Sequence, residues 1–327
     1  MATNKPTALV IGGTGQTGRS IVNGLLKSGN FRVLVLVRPS SATKPATQEL
    51  VASGVEIRVG ALTDDYEKLK QLLQGVDILI SAVDARAIDE QREIFRAAKE
   101  VGVQRVIPCD FATPGAKGGR LQADMKLKFR EYLKELGVGY TIIDVGWWMQ
   151  FFLPLPLRST VPPHVKAMTW SIYGTSESRN LLTNLHHIGT YVARIITDPR
   201  TLNKWVIVWE DEVVQKDAHE IGERVSGDGD ALREKRIYVS EQDVKRLIAE
   251  GEAAYDPTDH QATLKLLWDQ YLNSMHFLEE NTLENAKRLG YLDARELYPD
   301  IPAQSLEEFA KEFYGLPEPG ITFLGGR

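Results

Sequence analysis

Residues 8–18 constrain this chain more than any other stretch, reading Ala8-Leu9-Val10-Ile11-Gly12-Gly13-Thr14-Gly15-Gln16-Thr17-Gly18. An unbroken apolar run of that length suits a short strand buried on both faces. It enters a Gly-x-x-Gly-x-x-Gly turn, after which Ile21, Val22, Leu25 and Leu26 recur at helical spacing. Glycines in such a turn let the backbone approach a pyrophosphate. The free N–H groups and positive dipole end of the helix then receive its charge. A glycine-rich turn can also serve packing alone. Here, however, a second apolar run, Val33-Leu34-Val35-Leu36-Val37, completes the strand–helix–strand unit that dinucleotide binding requires.

The same alternation continues through the first half. β-rich runs at 8–11, 33–37, 55–59, 78–83, 106–108 and 140–145 alternate with helix patterns at 18–27, 67–73, 91–101 and 122–136. Gly29, Gly75, Gly102 and Gly137 stand where those helices should stop. This order predicts an α/β fold of Rossmann type, a doubly wound parallel sheet with helices on both faces. Residues 1–150 are then the dinucleotide-binding domain. Its ligand crevice is the carboxyl edge of the strands, near the point where strand order reverses.

The character changes after Gly146. Residues 147–157 begin with Trp147-Trp148-Met149-Gln150-Phe151-Phe152 and are then punctuated by Pro154 and Pro156, too broken for a core helix. Such a segment forms one wall of a pocket or a buried seam between lobes. β-rich runs are expected at 165–173 and 205–209, and helices at 188–197, 261–279 and 306–313. Residues 151–327 thus read as a smaller, mainly helical substrate-binding lobe that returns some strands to the main sheet.

Composition excludes more than it specifies. With 25% charged and 43% hydrophobic residues over 327 positions, the chain is ordinary for a globular protein with a sizeable core. A net charge of −5 without a long basic stretch gives no support for a nucleic-acid partner. No apolar run reaches membrane-spanning length, and residues 1–7 lack the basic and apolar regions of a signal peptide. The expectation is a cytoplasmic monomer or homodimer with no membrane partner. The single cysteine, Cys109, excludes an internal disulfide and reads as a small core-edge residue.

Folds of this type that prefer NAD place a carboxylate at the end of the second strand to hold the ribose hydroxyls. This chain has Arg38 there, followed by Pro39-Ser40-Ser41 and Lys44. A guanidinium pairs bidentately with a 2′-phosphate and stacks on adenine, so NADP(H) is expected.

For chemistry, the only Tyr-x-x-x-Lys spacing is Tyr66 to Lys70, after the third strand, where a helix does not reach the nicotinamide end of the crevice. It reads as coincidence on a solvated helix. No His-Glu-x-x-His or Gly-x-Ser-x-Gly motif occurs, and His186-His187 lacks partners at metal spacing, so no metal site is expected. What survives is a lysine on the helix after the fifth strand. With Met125, Phe129, Tyr132, Leu133 and Leu136 as its buried face, Lys134 points to solvent, and Lys126 and Lys128 flank the face on opposite sides. Periodicity alone does not choose between those two.

These motifs together resemble the isoflavone reductase-like group of atypical short-chain reductases, with their pinoresinol and phenylcoumaran benzylic ether reductase relatives, and the NmrA-like regulators. The resemblance runs almost end to end. It includes residues 12–18, Leu36-Val37-Arg38, Gly60-Ala61-Leu62-Thr63-Asp64, the 76–83 run, Arg105-Val106-Ile107-Pro108-Cys109-Asp110-Phe111, and Lys126-Leu127-Lys128-Phe129-Arg130 with Tyr140-Thr141. Met275-His276 and Glu296-Leu297-Tyr298-Pro299-Asp300 also fit.

The resemblance implies NADPH, held by Gly12, Thr14, Gly15, Gln16, Thr17, Gly18, Arg38, Lys44, Ala82 and Val83, with Phe111 stacked near the nicotinamide. It implies that Lys126 is the general base beside the cofactor and that His276 faces a small aromatic substrate. Trp147, Trp148, Phe151 and Phe152 would suit a flat molecule. In the benzylic ether reductases the lysine removes a phenolic proton, the ether opens to a quinone methide, and hydride adds. A lysine base must be neutral near neutral pH, which asks for burial or a nearby cation such as Arg130.

Two departures concern the pocket. The group's Pro-Ser-Glu-Phe-Gly is here Pro108-Cys109-Asp110-Phe111-Ala112, and its asparagine after the Tyr-Thr strand is Gly146. Rival functions are an NADP(H) sensor without chemistry, as in NmrA-like regulators, and a general carbonyl or quinone reductase.

Overall fold

A computed structural model describes residues 5–84, 87–256 and 258–320; the first four of the residues 1–7 read above for a signal peptide lie outside it. The first half unfolds as β1 (Thr7–Ile11), α1 (Gln16–Ser28), β2 (Arg32–Val37), α2 (Pro45–Ala52), β3 (Glu56–Val59), α3 (Tyr66–Leu72), β4 (Ile78–Ser81), α4 (Arg92–Glu100), β5 (Arg105–Ile107), α5 (Leu121–Leu136) and β6 (Thr141–Asp144). Next come β7 (Trp147–Trp148), α6 (Met149–Phe152), α7 (Pro163–Trp170), β8 (Ser171–Tyr173), β9 (Arg179–Thr183), α8 (Ile188–Ile195), β10 (Lys204–Ile207) and β11 (Asp211–Val214). The remainder is α9 (Gln215–Val225), α10 (Asp230–Arg233), β12 (Ile237–Val239), α11 (Glu241–Ala253), α12 (His260–His276), α13 (Leu283–Arg288), β13 (Leu292–Asp293), α14 (Ala294–Leu297) and α15 (Leu306–Gly315).

The central sheet is parallel in the order β3-β2-β1-β4-β5. Alternate residues of β1 feed opposite faces. Ala8 and Val10 pack with Ile21, Val22 and Leu25 of α1, while Leu9 and Ile11 pack with Leu69 of α3, Phe95 of α4 and Phe129 of α5. Both faces are therefore covered, as the unbroken apolar strand requires. Strand order reverses between β1 and β4, so the crevice opens over their carboxyl ends.

The sheet does not stop at residue 150. A bridge between Val106 and Tyr140 leads to β6, and β6, β10 and β13 pair in parallel. Helix α8 packs on α1 in the same core. The later strands and α8 thus join the first half, past the expected domain boundary.

A separate core gathers Met149, Phe152, Leu153, Met275, Phe309 and Phe313. It lies beside two small sheets, β11-β9-β7 and β12-β8. One expectation needs correction here. The run at 165–173 is mostly the helix α7, and only Ser171–Tyr173 is strand. Pro162 and Pro163 open that helix with φ already set, which outweighs the β-branched Val165 and Thr169. Among the described residues, no helix is long and apolar enough to cross a membrane.

Candidate functional site

The turn after β1 is closed by the Gly15 N–H donating to Gly12 O at 2.9 Å. Gly12 has φ +79°, and a Cβ there would lie 2.3 Å from Ala82 O. A Cβ on Gly18 would lie 2.1 Å from Gly12 O, so glycine lets α1 sit directly on the turn. Among the described residues no side chain caps the start of α1, leaving its first N–H groups for an anion. A cavity of ≈ 480 Å³ spans this edge, lined among others by Gly12, Thr14, Gly15, Arg38, Ala82 and Val83.

The structure does not gather every expected residue there. Gly18 is buried in helix–turn packing, and Gln16 lines an adjoining groove that shares Thr14 and Gly15 with this edge. Lys44 is exposed at the start of α2 and is not among the lining residues. Tyr66 and Lys70 both bond Glu100 on α4, and neither borders the cavity.

Ala82 and Val83 also line a second cavity of ≈ 350 Å³, joined by Thr17, Phe111 and Lys126. The two cavities therefore meet at the end of β4, directly over the strand-order reversal.

Lys126 is 6% exposed, whereas Lys128 and Lys134 face solvent. The buried stripe of α5 is Ala123, Lys126, Phe129, Arg130 and Leu133, rotated from the face that Met125, Tyr132 and Leu136 suggested. Those three are only half-buried. Lys126 Nζ donates to Asp110 O at 2.5 Å, which aims the amine along the cavity wall.

Asp110 is itself locked from below. Arg130 donates to Asp110 Oδ1 at 2.6 Å, to Asp144 Oδ2 at 2.9 Å and to Tyr291 Oη at 2.8 Å. Burial alone would push the arginine's pKa down, but Asp110, Tyr291 and Asp144 together raise it and keep the guanidinium charged. The cation expected to act on Lys126 is thus engaged by two carboxylates.

Phe111 takes φ +36°, with its N–H on Ile143 O at 2.8 Å, and the Ala112 N–H donates to Asp144 Oδ1 at 3.1 Å. The 110–112 segment is held from both sides, which sustains the strained backbone. Cys109 lines the cavity with its thiol donating to Val83 O at 2.7 Å. Burial pushes that thiol up to about 12, so it stays protonated.

The far wall is aromatic. Trp147, Trp148 and Phe151 come from β7 and α6, and Leu264, Leu267, Trp268 and Tyr271 come from α12. Trp147 packs on Tyr271 at 5.1 Å and on Trp268 at 5.7 Å between ring centroids. Phe152 turns away into the second core.

His276 does not reach this wall, and the substrate-facing expectation is corrected. It lies five residues beyond Tyr271, a rotation of roughly 140° around the helix. There it stacks on Tyr173 at 4.7 Å, buried at 6% exposure. Burial pulls its pKa down to about 3, with His219 adding to the shift. The residues that sequence reasoning missed are Asp144, Tyr291, Gln122 and the Leu264–Trp268–Tyr271 stripe. That stripe has a readable signal, since 264, 267, 268 and 271 share one helix face.

Comparisons with known proteins match this geometry to a family. The model of the NmrA-like family matches residues 4–310. The asnovolin J 5′,6′-dehydrogenase of Aspergillus novofumigatus is 34% identical, over 93% of this chain and 94% of its own. An isoflavone reductase homolog of Nicotiana glauca is 28% identical, over 96% and 99%. The fold matches that of the leucoanthocyanidin reductase–NADPH complex from Vitis vinifera with a TM-score of 0.75 at 19% identity, covering 95% of this chain and 100% of that one.

Proposed function

The chain belongs to the NmrA-like family, and on that footing we propose that it is an NADPH-dependent oxidoreductase. Its substrate is a small aromatic compound that exchanges hydride at a conjugated or benzylic carbon. One observation carries the reading: a buried amine, Lys126, enters an apolar cavity that joins the glycine-turn cleft at Ala82 and Val83. A sensor without chemistry has no need of an amine there.

The residues present suit the cofactor. The tight turn whose backbone packing requires glycine at positions 12 and 18, and the uncapped start of α1, would accept a pyrophosphate beside Thr14, Gly15, Gln16 and Thr17. Arg38 would hold the 2′-phosphate, with Lys44 adding positive charge from the start of α2, and Phe111 would present its ring to the nicotinamide. When bound, the reduced nicotinamide supplies the hydride.

Lys126 then takes the proton of a phenolic or enolic hydroxyl as the substrate's conjugation shifts, its direction fixed by Asp110 O. Trp147, Trp148 and Phe151 hold a flat substrate face-on and exclude water. The Aspergillus relative is named a dehydrogenase, which supports a second reading in which the same residues work in the oxidising direction.

The test is Lys126→Met, assayed in both directions with a panel of aromatic enones and benzylic ethers. Turnover should fall at least about 100-fold, the usual span of a lost general base. NADPH affinity by calorimetry should stay at the parent value. Parental turnover in the variant removes Lys126 from the mechanism, and NADPH uptake without turnover of any panel member returns the sensor reading.

A further inference from the structure

Arg120 is 4% exposed and forms no ion pair among the described residues. Its Nη2 donates to Thr113 O at 2.7 Å, while Nε and Nη1 are buried with no hydrogen-bond partner among the described residues. A buried guanidinium without a carboxylate is unfavourable unless another group compensates its charge. What lies against it is Tyr271, with the guanidinium carbon 4.0 Å from the ring centroid.

Tyr271 borders the cavity, and its Oη accepts the Thr113 N–H at 2.9 Å. An amide only donates there, so the hydroxyl's own proton has no acceptor among the described residues. Gln122, which also borders the cavity, buries Oε1 without a partner among the described residues. A cation, a phenol and an amide oxygen therefore converge where the start of α5 meets α12. Burial by itself raises a phenol's pKa, but the Arg120 charge first, Lys126 in its protonated form and the Thr113 bond outweigh it and hold Tyr271 below its ordinary value.

We propose that Tyr271 is a second proton-transfer group of this cavity, with Arg120 as the positioning cation that stabilises its phenolate. The inference rests on the oxidoreductase reading and narrows the substrate to compounds carrying a conjugated oxygen, such as an enone. Hydride addition at the conjugated carbon leaves an electron pair on that oxygen. The Tyr271 O–H bond breaks, a substrate O–H bond forms, and the negative charge stays on Tyr271 Oη beside Arg120. Solvent returns the proton. In the oxidising direction the phenolate takes the substrate proton instead.

The test uses the full chain with Tyr271→Phe, Arg120→Gln and Arg120→Lys. The first readout needs no substrate: ultraviolet titration of tyrosinate, parent minus Tyr271→Phe. One tyrosine should titrate below the ordinary phenol value of about 10. It should move upward in Arg120→Gln and part-way back in Arg120→Lys. The second readout is steady-state kinetics with NADPH and chalcone, an aromatic enone. Tyr271→Phe should lower kcat about 100-fold or more with NADPH affinity unchanged, and should remove one limb of the pH profile.

Tyr271 titrating at or above the ordinary value, or Tyr271→Phe retaining parental kcat and pH profile, overturns the proposal. Failure of the parent to bind or oxidise NADPH defeats the oxidoreductase reading separately. The titration then decides the Arg120–Tyr271 pairing by itself.

Discussion

Replacing His276 with glutamine separates a structural histidine from a substrate-facing one. His276 and His219 are both buried, and burial lowers their pKa values to about 3 and about 4. Both values lie below the ordinary 6.5, so the native state binds fewer protons than the unfolded chain under acid conditions. The stability these histidines allow is fully present above the unfolded value and is lost as pH falls toward the folded ones. At about pH 5 each native histidine is still neutral, while its unfolded counterpart is charged across about 1.5 units. At about 1.4 kcal/mol per unit, each costs about 2 kcal/mol, or about 4 kcal/mol for the pair.

His276→Gln removes one of the two. The variant should be less stable than the parent near neutrality, because the stack on Tyr173 is weakened. It should then lose about 2 kcal/mol less than the parent between about pH 8 and about pH 5. Urea unfolding at the two pH values measures this double difference, in which every other titrating group cancels. Its KM for an accepted substrate should match the parent's, since His276 lies off the cavity. Equal acid losses in the two chains would mean that His276 titrates normally in the folded protein. A raised KM would return it to the substrate wall.

Two further substitutions address the cofactor edge and the buried ion network. Arg38→Ala should weaken NADPH about 10- to 100-fold, the worth of a charge-assisted hydrogen bond, and leave NADH affinity unchanged. Calorimetry with both coenzymes decides, and equal losses would detach Arg38 from the phosphate. Arg130→Met leaves Asp110 and Asp144 buried without their cation and should destabilise the fold by about 3–5 kcal/mol. An unchanged denaturation midpoint would show that the two carboxyls do not depend on it.

The first half was legible because its signals are local. Buried strands read as unbroken apolar runs, helix ends carry glycines, and the Gly12–Gly18 turn needs glycine for steric reasons visible in the residues themselves. The Lys126 ambiguity was not local. Met125, Phe129, Tyr132 and Leu136 set one apolar face, but the helix turned so that Lys126 and Arg130 could be buried. What turned it is a set of partners far along the chain, Asp144 and Tyr291, whose pairing with Arg130 has no sequence spacing to announce it. His276 failed for a related reason. A histidine on an amphipathic helix advertises burial, but only the packing of α12 against Tyr173 says which neighbour receives it.

Gly146 is where this chain parts from the isoflavone reductase-like pattern, and the geometry explains what that departure does. Its φ is +63°, and a Cβ there would lie 2.5 Å from Leu181 O on β9. The asparagine of that pattern therefore does not fit unless β9 moves back, and β9 is pinned between β7 and β11. Glycine at this position removes an amide from the cavity and lets the wall close to backbone distance. Cys109 adds no polar group in compensation, because its thiol is spent on Val83 O. On the proposed reading, the side chains that reach a substrate with proton-transfer capacity from α5 and α12 are then Lys126 and Tyr271, with the Gln122 amide and the Trp268 indole N–H adding hydrogen-bonding capacity. On that reading, discrimination among aromatic substrates falls to where Lys126, Gln122 and Tyr271 meet a conjugated oxygen, with Trp147, Trp148, Phe151 and Trp268 setting the plane in which the molecule lies.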